Sequence, residues 1–342
     1  MMRRLPFLSW PLFWPVAALA LLMLANGLFN PGFLELQWRD GHLYGNLIDI
    51  ANRAAPLALA AMGMTLVIAV RGLDISVGAV MAISATVAAW SISHVAGGDS
   101  SSLLPLFAAL GAALGVAGLC GLWNGLLVVK VGMQPIVATL ILMVAGRGLA
   151  QLMSGGQILT IYYTPYAYLG KGFLFGLPFA LFVVAAIFVV LQLLLHRTAL
   201  GLFVRAIGEN PRAAHVAGVR AGTLTPALYV FCGFSAGLAG LLVSSNVASA
   251  DANNAGQLYE LDAILAVSLG GSALKGGHFT LAGSVVGALI IQTLATTIYS
   301  IGVPPQVTLV VKAVLVIAVL LLQSRRFREQ MAGLLRSAPG TQ

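Results

Sequence analysis

Ser235 sits between two glycines in Gly233-Phe234-Ser235-Ala236-Gly237, the spacing of the elbow that presents a hydrolase nucleophile. That elbow works because a strand running into a helix strains the serine outward. Here the motif lies inside the uncharged run Ala221–Ala250, a continuous apolar helix, so it reads as helix packing. No G-x-x-x-x-G-K-[ST] loop occurs, so the chain has no phosphate cradle of its own. Neither H-E-x-x-H nor a cysteine–histidine cluster is present, and no metal site is expected. His42, His94, His196, His215 and His278 fall in loops or at span ends, while Cys120 and Cys232 sit within apolar runs as packing residues. No catalytic residue is expected.

Charges where charge is expensive are the next candidates. Arg147 and Lys312 lie within apolar runs, about six residues or roughly 9 Å from the outer helix end. They either snorkel to that surface or line a pathway. Glu260 and Asp262 fall at the same level and could neutralise them. Asp74 opens a span, as a helix N-cap or as a contact with the pathway or a neighbouring subunit. Asp251, Asn253 and Asn254 suit a neutral, hydroxyl-rich ligand or a protein rim, although an ordinary Asx loop explains them as well. No mid-membrane carboxylate stands out to bind a driving ion, so any transport would draw its energy from elsewhere.

The elements that position these residues are membrane helices. The 342 residues are 59% hydrophobic and 8% charged, against about 25% charged in soluble domains. Leu5–Leu34, Ser100–Val129, Gly172–His196, Ala221–Ala250 and Gly276–Val311 contain no Asp, Glu, Lys or Arg. A span needs about 20 apolar residues. The pattern predicts an all-α integral membrane protein with ten spans, near 12–30, 53–70, 75–95, 104–129, 134–153, 177–195, 225–246, 261–274, 279–298 and 306–323. The runs lack period-2 alternation, which excludes a β-barrel. Arg3-Arg4 precede a first span too long for a signal peptide, so that span is retained.

Ten spans put both termini on one side. That side carries thirteen Lys and Arg and the other three, so both termini are expected in the cytoplasm. The net charge of +8 reflects this topology and not nucleic-acid binding. The eighth span is short, about 14 residues before Lys275-Gly276-Gly277, and residues 70–78 crowd glycine and charge between two spans. Such interruptions point to two related halves, spans 2–5 and 7–10. Gly111/Gly115, Gly121/Gly125, Gly233/Gly237 and Gly283/Gly287 have the spacing of close helix packing.

The longest polar connection, 196–225, contains "GENPRAAHVAGV". Asn210 is an N-cap, Pro211 suits a first helical position, and Gly218 can stop a helix over Arg212–Val216. So short a helix is unstable alone; it docks on a partner or lies on the membrane surface. "AIGENPRAAHVAGV", "RGLDISVGAVMA" and "ELDAILAVSLGGSALKGG" resemble the signatures of bacterial ATP-binding-cassette (ABC) importer permeases of the ribose/branched-chain amino acid family. Stretches such as "GNLIDIANRAAPLALAAMGMTLVIAV" are most similar to its galactofuranose-importing branch.

The resemblance implies a permease domain over 1–324, a coupling loop at 196–225 and a basic cytoplasmic tail at 325–342. It implies that Gly208, Glu209, Asn210, Arg212, Ala213, Ala214 and Gly218 engage an ATPase subunit, which would hold ATP and Mg while this chain holds no cofactor. It further implies a second permease (paralogue or self), a periplasmic sugar-binding protein, surrounding lipid and a bacterial inner-membrane location. Arg71 departs from the pattern, which has glycine there. An ion-coupled sugar carrier is the alternative.

Overall fold

The computed structural model describes residues 12–30, 32–95, 102–302 and 304–323. The tail expected at 325–342 lies outside the described residues, as does the side chain of Lys312. In chain order the elements are α1 (Phe13–Phe29), a hairpin of β1 (Gln37–Arg39) and β2 (His42–Tyr44), α2 (Asn46–Ala69), α3 (Val77–Val95), α4 (Leu104–Val129) and α5 (Pro135–Ser154). There follow β3 (Leu159–Thr160), α6 (Thr164–Lys171), β4 (Phe173–Leu174), β5 (Leu177–Pro178), α7 (Phe179–Arg197), α8 (Leu200–Glu209) and α9 (Pro211–Val216). The chain continues with α10 (Ala221–Val247), β6 (Ser249–Ala250), α11 (Tyr259–Leu269), α12 (Leu281–Ser300) and α13 (Pro305–Gln323).

This is an all-α membrane architecture, because backbone amides in lipid must pair within their own segment. Seven described helices, α2, α3, α4, α5, α7, α10 and α12, are long and apolar enough to cross a bilayer. The other three expected spans fall on α1, α11 and α13. α2 starts at Asn46, ahead of the expected 53, which places Asp49, Asn52 and Arg53 on the helix. The helices α6 and α8 were not expected at all.

α11 is shorter than the expected span at 261–274. It has 11 residues, about 16 Å at 1.5 Å per residue, half of a bilayer core of about 30 Å. After it the backbone runs without helix to Thr280, with several of its amides paired. Gly277 N–H donates to Ala69 O, Ala273 N–H to His278 O, and Thr280 N–H to Ser272 Oγ. Non-helical backbone is tolerated at membrane depth only where protein surrounds it. In that stretch Ser272, Gly277 and Phe279 are buried, whereas Gly271, Leu274, Lys275 and His278 are exposed.

The most apolar windows of α2 and α3 are each 83% buried, so these helices form the centre. α4 buries Ala109, Ala113, Ala117, Gly121, Asn124 and Gly125, a stripe at helical period. A Cβ on Gly121 would meet the backbone of Tyr229 and Val230, and one on Gly233 the backbone of Ala117 and Gly121. α4 and α10 therefore touch main chain to main chain. Gly283 and Gly287 do the same against Gly270 and Ala266. Gly111 and Gly115 do not, having no atom near a built Cβ, because they lie on the exposed side of α4.

Polar pins join the helices where hydrocarbon offers no water. Thr65 Oγ1 donates to Ser284 Oγ at 2.7 Å, joining α2 to α12. Asn26 Nδ2 donates to Thr297 Oγ1 at 2.8 Å, joining α1 to α12.

Candidate functional site

At one end of the bundle α8 buries Gly201, Val204, Ile207 and Gly208 along a single face. A Cβ on Gly208 would strike Ala69 O and the main chain of Gly277. Asn210 then ends α8 and begins α9, its Oδ1 accepting the amides of Arg212 and Ala213 at 3.1 Å each. Ala214 is buried, whereas Arg212, Ala213 and His215 are exposed and Val216 is 88% exposed. Gly218, at φ +85°, takes the left-handed turn that stops the helix, with open space around it.

The expected coupling residues thus divide. Glu209, Asn210, Arg212, Ala213 and Gly218 are on the surface. Gly208 and Ala214 face inward, so their smallness serves packing within this chain.

Arg71 explains how this segment is held. It follows α2 at φ +66°, and its Nε donates to Gly208 O at 2.6 Å and its Nη2 to Glu209 O at 2.5 Å. A guanidinium on the last carbonyls of α8 satisfies groups that the helix leaves unpaired and complements its dipole. The ends of α2 and α8 and the turn at 275–277 therefore meet at one point. Sequence reasoning noticed Arg71 only as a departure from glycine.

Asp74 is buried between the end of α2 and the start of α3, against α4. Its Oδ1 accepts from Ser76 N at 2.9 Å, Ser76 Oγ at 2.6 Å and Asn124 Nδ2 at 3.3 Å. These bonds fix the turn into α3 and tie it to α4. They do not cap the first-turn amides as an N-cap would.

At the opposite end the structure brings together Arg147, Asp251, Asn253, Asn254 and Glu260. Asp251 accepts from the amides of Asn253 and Asn254 at 2.9 and 3.2 Å and from Asn254 Nδ2 at 2.7 Å, an Asx turn. The side-chain bond from Asn254 holds the Asp251 carboxyl below its ordinary value, aided by those two amides and by Arg147. Arg147 reaches this loop from α5. Its guanidinium donates to Ala252 O at 3.1 Å and Ala255 O at 2.5 Å, while Gln151 Nε2 donates to Asn253 Oδ1 at 2.7 Å.

α5 thus clamps the loop that leads into α11. Arg147, Gln151 and the buried Glu260 line one groove of about 350 Å³. Asp262, two residues further along α11, is half-buried and does not line it. Gln151 was missed because a single glutamine at a helix end carries no sequence signal.

Residues 46–320 match the family profile described as the permease component of branched-chain amino acid transport systems. The chain belongs to this permease family. The permease is 48% identical over 326 residues to the galactofuranose transporter permease YtfT of Escherichia coli, covering 95% of this chain and 93% of that one. It is 37% identical to the fructose import permease FruF of Bifidobacterium longum, over 96% and 92% of the two chains. It is also 35% identical to the ribose import permease RbsC of Bacillus subtilis, over 91% and 92%. No solved structure gives a significant match. This is a transporter permease subunit of the monosaccharide-import type, embedded in the inner membrane, as its sequence implied.

Proposed function

We propose that the permease is one of two such subunits forming the channel of an ABC importer for a galactofuranose-like sugar. In this reading ten crossings leave both termini and α9 in the cytoplasm, over a permease domain of 1–324 with its coupling loop at 196–225 and tail at 325–342. A partner ATPase alone binds ATP and Mg, and α9 docks in a cleft of that subunit. A periplasmic binding protein delivers the sugar to the rim near Asp251 and Arg147, and lipid surrounds the exposed helices. The second permease is a paralogue. The 48% identity to the galactofuranose permease supports the choice of sugar.

The observation that carries this reading is α9. A six-residue helix cannot hold itself together in water. This one is capped by Asn210, anchored by Ala214 and presents Val216 at 88% exposure. An apolar tip held rigidly away from its own core is built to enter another protein. Arg71 passes any movement of that tip to α2.

The test is purification of the tagged chain from its membranes in mild detergent, with mass spectrometry of what accompanies it. A P-loop ATPase and a second permease should be recovered. The ATPase should be lost in both Gly218→Trp and Val216→Asp, with membrane insertion unchanged. The second substitution adds no backbone strain, so agreement between the two speaks for docking. Recovery of the chain alone, with sugar uptake that survives ATP depletion and collapses under a protonophore, would overturn the proposal in favour of the ion-coupled carrier.

A further inference from the structure

We propose that the outer cleft between α2, α10, α11 and α12 is a monosaccharide subsite held within a single permease subunit, distinct from the Arg147 groove. It rests on the sugar-import reading. The cleft measures about 400 Å³ and is lined by Asp49, Asn52, Arg53, Asn246, Tyr259 and Gln292. That volume falls within the roughly 300–1,000 Å³ of small-molecule sites. Tyr259 and Glu260 are neighbours on α11, yet the first lines this cleft and the second the groove beside Arg147. α11 is the wall between them.

Asn52 lines the cleft and carries an acceptor left unsatisfied among the described residues. Its Oδ1 is buried without a hydrogen-bond partner. Pro56, four residues on, lines the same cleft and has no N–H, so the main-chain carbonyl of Asn52 loses its helical partner too. Unpaired acceptors in a buried place are costly unless a ligand or water supplies hydrogen.

The remaining groups match a neutral polyol. Asp49 accepts, Arg53 donates, and the amides of Asn246 and Gln292 do both, while Tyr259 offers an aromatic face. Asn246 is already fixed, because its Nδ2 donates to Gly170 O at 3.2 Å. Gln292 lies about 12 Å below the end of α12 at Ser300. One carboxylate beside one guanidinium leaves no net charge, which disfavours a phosphate.

The experiment uses the assembled importer in proteoliposomes. Cys120 is replaced by alanine, Cys232 being buried, and Asn246→Cys is labelled from outside with a maleimide. Millimolar D-galactose, D-fructose or D-ribose should slow labelling at least fivefold for one of the three. Gln292→Leu should abolish that protection and lower uptake of the same sugar about tenfold without loss of assembled complex. Labelling unaffected by any sugar, with wild-type uptake in Gln292→Leu, would overturn the proposal while leaving the importer reading intact. So would a phospholipid that co-purifies stoichiometrically and is lost in Arg53→Gln. An unaltered importer that moves no sugar at all would instead defeat the functional reading beneath it.

Discussion

Arg71 holds a backbone conformation that opposes its own side chain. At φ +66° a residue with a Cβ is strained by roughly 1–2 kcal/mol. Two bonds to the carbonyls of Gly208 and Glu209 offset that cost, at about 1 kcal/mol each in this solvent-exposed position. Arg71→Ala loses the bonds and keeps the strain, whereas Arg71→Gly loses the bonds and relieves it. The expected order of thermal stability in detergent is arginine, then glycine, then alanine, the last two separated by about 1 kcal/mol. An alanine variant as stable as the parent would show that the guanidinium holds nothing. The sequence marked this position as unusual, but the partner carbonyls lie on a distant helix and leave no local trace.

Small residues at helical period decide how the elements meet, and period alone does not say which of them matter. Gly115 and Gly121 both lie on α4 and both belong to glycine pairs at the same spacing. Gly121 abuts the main chain of α10, while Gly115 has open space. Gly121→Ala should cost about 1–3 kcal/mol or more, because backbone must give way. Gly115→Ala should be neutral, or gain up to about 1 kcal/mol from helix propensity. Thermal unfolding of the two variants side by side checks this, and equal effects would mean that α4 does not approach α10 as described. The same limit applied to α2. Its polar first turns read as loop, since amides and charges do not reveal that they lie on a helix bordering a cleft.

Across the whole molecule burial is uneven. The apolar windows of α4, α5 and α7 are only 22%, 28% and 22% buried, against 83% for α2 and α3. Apolar faces on this scale meet lipid or a second permease, and they would not stay in water. The topology turns on α11. If it and the following turn complete a crossing, reporter fusions at the two termini should both report cytoplasm. Termini on opposite sides would mean that α11 turns back within the membrane and that the crossings are odd in number.

The sequence by itself determined the membrane class, the order and rough limits of the long helices, the permease family and the short capped helix α9. Each rests on signals carried by neighbouring residues: uncharged length, charge asymmetry between loops, and the Asn-Pro start and glycine stop of a helix. Only the tertiary structure decided that Arg71 clasps α8, that Gly208 and Ala214 face inward, and that Asp74 is buried against α4. It also set Asp49 and Asn52 of α2 around one cleft with Gln292 of the distant α12. Those facts depend on which helix faces meet. A 3.6-residue period shows that a helix has a face, but its partner is chosen by main-chain contacts across long stretches of chain.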